Sequence, residues 1–111
     1  MPTIFEPSDL PVTQKNGFSI TTLANQAMLG TEALQVERIL LEANAKSPTF
    51  DAVEVERFVY VIGGKGQAHV GQDEFSLDVE SVLWLEKDDT FFLEAGADGL
   101  EVLLCHAPAS E

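Results

Sequence analysis

Phe18-Ser19-Ile20-Thr21-Thr22-Leu23 alternates apolar and small polar residues at period two, the pattern of a strand with one face buried. Leu34 to Glu42 alternates at first and then becomes apolar on both faces through Ile39-Leu40-Leu41, as a strand does between two layers; a helix is the alternative for this segment. A turn is expected between the two near Gly30. After a loop from Ala43 to Asp51 that carries Pro48, Val53-Glu54-Val55-Glu56 alternates strictly and predicts another strand. Phe58 to Ile62 is continuously apolar, aromatic or β-branched, so both of its faces need cover, one from the interior and one from a second sheet or a partner. Gly63-Gly64-Lys65-Gly66 supplies the positive φ angles of a tight hairpin, and Gly71-Gln72-Asp73 supplies a second turn. Phe75 to Val79, Val82 to Leu85 and Leu100 to Cys105 complete a set of short strands at regular spacing. Such a set predicts an all-β sandwich or small barrel.

Residues 1–19 hold Pro2, Pro7, Pro11 and Gly17, which forbid a long helix and predict an arm lying across the barrel or a neighbouring subunit. Residues 20–111 are then the single barrel domain. With 19 acidic residues against 6 basic ones and a formal net charge of −13, the chain repels phosphate backbones and anionic lipid, so neither nucleic acid nor a membrane is expected as partner. The acidic residues are scattered, which reads as a solvated surface. No apolar run approaches the roughly 18 residues that cross a bilayer, and the first residues lack a signal peptide's basic flank, so a cytoplasmic protein is expected. The one cysteine, Cys105, excludes an intramolecular disulfide and reads as a small core residue.

Within this frame the run Glu56-Arg57-Phe58-Val59-Tyr60-Val61-Ile62-Gly63-Gly64-Lys65-Gly66 resembles the first signature of the cupin superfamily. The resemblance spans about residues 30–108 and implies a single-domain, RmlC-like cupin barrel, the jelly-roll-like double-stranded β-helix. In a typical cupin two histidines and a Glu or Gln precede the Tyr-Val-x-x-Gly-x-Gly run that Tyr60 to Gly66 matches. Here the Glu or Gln position falls on Arg57 and the histidine positions on Asp51 and Val53. The second signature falls on Glu80 to Phe91, with Glu86 and Asp88 at the expected proline and glycine and Phe91 where the last ligand histidine would stand. The departures imply a barrel with no metal and no other cofactor, since a divalent ion needs three or four donors converging at about 2.0–2.2 Å.

The candidate site residues follow from parity and chemistry. Arg57 and Asp51 are ligand-binding candidates, the guanidinium for a carboxylate and Asp51 as a base, against the simpler reading that Arg57 pairs with a neighbouring acid. His106 shares parity with Val102 and Leu104 and faces the barrel mouth; it and Asp51 are the catalytic candidates. Trp84 and Phe91 are aromatic candidates for a pocket mouth. His69 lies between inward Ala68 and Val70 and is expected to face solvent.

Three functions fit. The first is a metal-free barrel that binds a small organic ligand. The second is a metal-independent isomerase, cyclase or hydrolase, an option also implied by the resemblance of Glu56 to Val61 to the metal-less half of bicupin ureidoglycine aminohydrolases. The third is a structural protein whose barrel is filled by Phe91 and Leu93. In each case a homodimer is expected, because Phe58 and Tyr60 lie on the face opposite the interior.

Overall fold

The computed structural model describes residues 4–6, 8, 10–24 and 35–107. Seven strands follow one another: β1 (Val12–Lys15), β2 (Phe18–Ala24), β3 (Gln35–Leu41), β4 (Glu56–Val70), β5 (Asp73–Leu77), β6 (Val82–Leu85) and β7 (Phe91–Ala107). All pair antiparallel in the order β1-β2-β3-β7-β4-β5, and β6 joins β4 off that path. The long strands β4 and β7 are bonded to each other from Glu56↔Ala107 to Val70↔Phe91. On its other side the first half of β4 carries β6 and its second half carries β5.

The two halves of β4 meet at register shifts between Val61 and Gly63 and between Gly64 and Gly66. This corrects the hairpin expected over residues 63–66: the chain does not reverse there but continues as a bulged strand. The physical reason is close approach. Gly64 has φ +77°, and a Cβ on it would collide with the carbonyl oxygen of Gly99, while a Cβ on Gly66 would collide with the carbonyl oxygen of Glu94. The glycines let β4 and β7 bend together, and bulges are how sheets curl into barrels.

Other elements differ in extent. Residues 51–55 are irregular, so the strand expected over Val53 to Glu56 begins only at Glu56. The strand expected over Leu100 to Cys105 is the second half of β7, whose first half opens on Phe91-Phe92-Leu93 and is then interrupted by Glu94, Gly96, Asp98 and Gly99. Within the expected arm, Val12–Lys15 pairs with β2 through a turn at Asn16 and Gly17, where Gly17 takes φ +74°. The turn expected near Gly30 lies outside the described residues.

Alternate residues of the paired strands build the core. Ile39 and Leu41 of β3, Val59 and Val61 of β4, Leu85 of β6, and Phe91, Leu93, Val102 and Leu104 of β7 are essentially inaccessible. Each such side chain contributes about 1.5–3 kcal/mol on leaving water. Phe91 stacks on Phe50 with centroids 4.9 Å apart, and with Leu93 it fills the interior under the second half of the sheet. No helix among the described residues is long and apolar enough to cross a membrane.

Candidate functional site

The inner face changes character at one end of the barrel, where β3 and β4 begin and β7 stops. Cross-strand register places Gln35 opposite His106, His106 opposite Arg57, and Glu37 opposite Leu104. Directly opposite residues share a face. Gln35, Glu37, His106 and Arg57 therefore continue the inward rows of Ile39, Leu104 and Val59, so the apolar interior ends in a polar cluster.

Arg57 is the most deeply buried member, 2 % exposed. Its guanidinium lies over the Phe91 ring at 5.1 Å from the centroid, and Nη2 donates to the backbone carbonyl of Asp89 at 2.8 Å. Nε is buried and has no hydrogen-bond partner among the described residues. The ion pair expected between Arg57 and a neighbouring acid is thus replaced by a carbonyl contact; Asp89 Oδ2 is itself occupied by the Glu86 N–H at 2.8 Å. Burial lowers the pKa of Arg57, and the nearby charge of Asp89 opposes the shift.

His106 faces the interior as its parity predicts. Its Nε2 is buried, has no hydrogen-bond partner, and stands 3.7 Å from Oε1 of Glu37. Burial, and then the charge of Arg57, push the imidazole pKa below its ordinary value and favour the neutral ring. Burial raises the pKa of Glu37, against a bond from the Gln35 side chain that lowers it. A histidine held neutral beside a carboxyl whose proton is held more tightly is a pair able to exchange a proton with a bound molecule.

Two expected residues stand elsewhere. Asp51 is exposed in the irregular segment before β4, and among the described residues no ion pair joins it to Arg57. Trp84 is 57 % exposed and stacks on Phe58 on the outer face, centroids 6.0 Å apart, because β6 presents Leu83 and Leu85 inward instead. Phe91 faces inward as the floor beneath Arg57. His69 points outward but not to free solvent, since its Nε2 is 3.0 Å from Oε1 of Glu94 and its ring stacks on Phe92 at 4.4 Å. Cys105 lies on the outer face opposite Phe58, and burial raises its thiol pKa. Cavities of about 260 and 330 Å3 lie away from the cluster, one lined by the β1–β2 turn and Leu40, the other by Lys65, Gly66, Gln67 and Glu94 to Gly96.

Solved structures of the same shape decide the fold. The KdgF protein of a Halomonas species superposes with a TM-score of 0.78 over 100 % of this chain and 97 % of its own, at 12 % identity. An RmlC-like cupin from Shewanella frigidimarina superposes with a TM-score of 0.75 over 100 % of this chain and 95 % of its own, at 12 % identity. This chain has the cupin fold. A predicted oxalate decarboxylase from Thermotoga maritima superposes on the cupin barrel with a TM-score of 0.75, at 14 % identity, over 96 % of this chain and 100 % of its own. No protein-family model and no curated protein sequence matches the chain.

In this cupin barrel the polar cluster does not fit a divalent metal. Among the described residues the inward side chains at that end offer one imidazole, one carboxyl with a raised pKa and one amide, and the guanidinium of Arg57 stands among them. A buried cation beside so few anionic donors opposes a second cation. Among the described residues no group of three or more His, Cys, Asp or Glu side chains is placed to hold a metal ion.

Proposed function

We propose that this cupin-fold protein is a metal-free binder of a small organic molecule, held at the polar end of the barrel by Arg57, His106 and Glu37. Among the described residues three buried side-chain nitrogens lack a hydrogen-bond partner: Arg38 Nε, which has Glu101 beside it on the outer face, and Arg57 Nε and His106 Nε2, which stand on opposed residues of the inner face and carry the reading. Leaving such groups unpaired costs about 1–3 kcal/mol each, so a fold that keeps both gains from a molecule that pairs them. The ligand sits at the end rather than deep inside, because Phe91, Leu93 and Leu104 fill the space beneath.

The His106–Glu37 couple favours a second reading, a metal-independent isomerase, cyclase or hydrolase in which the couple moves a proton on the bound molecule. Asp51, exposed before β4, has no part in either reading.

The protein acts as a homodimer in the cytoplasm, with no nucleic acid partner. Support for the dimer comes from two cross-strand rows on the outer face, Trp84–Phe58–Cys105–Val36 and Val82–Tyr60–Leu103, which place exposed Trp84 and Val82 beside half-buried aromatic residues. Support for the compartment comes from the lone thiol, and the net charge of −13 disfavours nucleic acid.

The test is metal analysis of protein purified without chelator or affinity metal, followed by melting curves with divalent ions and with a panel of small organic molecules. Stabilisation by an organic molecule, abolished in Arg57→Met, supports the reading. About one equivalent of co-purifying transition metal that raises the melting temperature overturns it.

A further inference from the structure

The two arginines of the chain are treated differently by the fold. Arg38, on the outer face of β3, also has a buried Nε that makes no hydrogen bond among the described residues, but its partly exposed side chain has a counter-charge, Oε2 of Glu101, 3.4 Å away. Arg57 is buried and, among the described residues, has no carboxylate in contact, although the sequence holds 19 acidic residues. Asp89, whose charge acts on Arg57, turns its backbone carbonyl to the guanidinium and its carboxylate to the N–H of Glu86. Glu37 is aligned with His106 and bonded by Gln35 instead. A buried guanidinium without a contacting anion is expensive, and its planar fork matches a carboxylate.

We propose that the occupant of this site is a small monocarboxylate, its carboxylate on Arg57 Nε–H, with His106 Nε2 beside it and a short apolar body against the walls. The proposal rests on the small-molecule reading above and names the ligand class. Three observations select that class. The guanidinium carbon lies 5.1 Å from the Phe91 centroid and Nη2 is taken by the Asp89 carbonyl, while Nε has no partner among the described residues. Among the described residues Arg57 is the one permanent cation on the inner face at this end, so the site matches one negative charge and not two, and a chain of net charge −13 disfavours a dianion further. The inward apolar residue beside the cluster that keeps exposed surface is Leu83, whereas Val59, Leu85 and Leu104 are essentially inaccessible, so the site suits a short hydrocarbon body and not a polyol.

Because the sequence has only two arginines, the side-chain Nε–H region of a 15N-labelled sample holds two signals, and Arg38→Lys assigns them. The full chain is titrated with acetate, butyrate and benzoate, with butyramide and benzamide as neutral twins, and with inorganic phosphate. The expected result is a saturable shift of the Arg57 Nε–H signal by the carboxylates. The amides bind about 10-fold more weakly or worse, and the shift pattern in β3, β4 and β7 is lost in a folded Arg57→Met variant. Amides that bind as tightly as their acids overturn the carboxylate assignment and leave the small-molecule reading standing. Phosphate that binds as tightly as butyrate also overturns it, making the site a general anion site. If none of the probes moves a signal in these strands, the carboxylate assignment falls, and a further null across neutral organic molecules removes the reading beneath it.

Discussion

His106 Nε2 stands 3.7 Å from Oε1 of Glu37, one strand away on the inner face, and burial moves the two pKa values in opposite directions. The imidazole has a folded pKa below its ordinary 6.5, so the unfolded chain binds the proton more readily. Its contribution to stability is therefore complete above about pH 6.5 and is lost as pH falls towards the folded value. Glu37 has the opposite sign: its folded pKa lies above 4.5, so its contribution is complete below 4.5 and is lost as pH rises through the folded value.

The measurement is urea unfolding of the parent and of His106→Gln at about pH 7.5 and pH 5.5, on either side of the ordinary imidazole value. Both chains carry Glu37, so most of its opposing contribution cancels in the comparison. The parent should lose more stability on acidification than the variant, and the His106 imidazole should titrate below 6.5 by NMR. Equal losses in the two chains would show that the ring is not held neutral by the fold.

Arg57 should be costly to the fold and useful only to a ligand. Replacing a buried charge by an apolar side chain of similar length is commonly neutral or stabilising. Arg57→Met should therefore unfold within about 1 kcal/mol of the parent, or above it, while Arg57→Ala, which also uncovers the Phe91 ring, should lose about 2 kcal/mol or more. A loss above about 3 kcal/mol in the methionine variant would mean that the Asp89 carbonyl contact holds the β6–β7 turn and that Arg57 is structural.

How much of this was legible in the sequence is best seen on β3. The alternation through Gln35-Val36-Glu37 suggests Val36 as the inward residue, yet Gln35 and Glu37 face inward. The signal that carries the correct parity lies further along: Ile39 and Leu41 are both essentially inaccessible, and residues two apart share a face. The inward parity of His106 is legible because Val102 and Leu104 fix its row. Its carboxyl neighbour was invisible because it is set by β3–β7 register, which no local pattern encodes. The outward face of Trp84 is not legible for a related reason, since Val82-Leu83-Trp84-Leu85 is apolar at every position and so carries no parity signal. The cupin signature identified the barrel because turns and buried strands are local. The hairpin expected at Gly63 to Gly66 failed because positive φ serves a bulge as well as a turn.

That bulge supplies a test of the barrel itself. Gly64 combines φ +77° with backbone of Gly99 where a Cβ would stand, and neither strand can retreat without breaking the β4–β7 ladder. Gly64→Ala should cost about 3 kcal/mol or more, since φ strain and a backbone collision add. Gly71 is the control: it also takes positive φ, at +59°, but a Cβ there meets open space. Gly71→Ala should cost only about 1 kcal/mol. Equal costs at the two positions would mean that strain alone, and not the crossing of β4 and β7, sets the requirement.

The outer face supplies the last. Trp84 is 57 % exposed and stacked on Phe58 at an interplanar angle of 4°, so it is the large aromatic side chain of the apolar rows that the monomer leaves most exposed. If two copies meet on this face, the indole is a natural anchor, because a few aromatic side chains carry most of an interface's energy. Trp84→Ser should then convert a dimer to a monomer by light scattering after size exclusion, and weaken association by about 2 kcal/mol or more. Its melting temperature extrapolated to low concentration should change little. Trp84 is also the only tryptophan, so the parent's emission should shift to shorter wavelength as concentration rises through the dissociation constant. A parent protein that is monomeric at every concentration, with emission independent of dilution, would leave the apolar rows to another partner and remove the dimer.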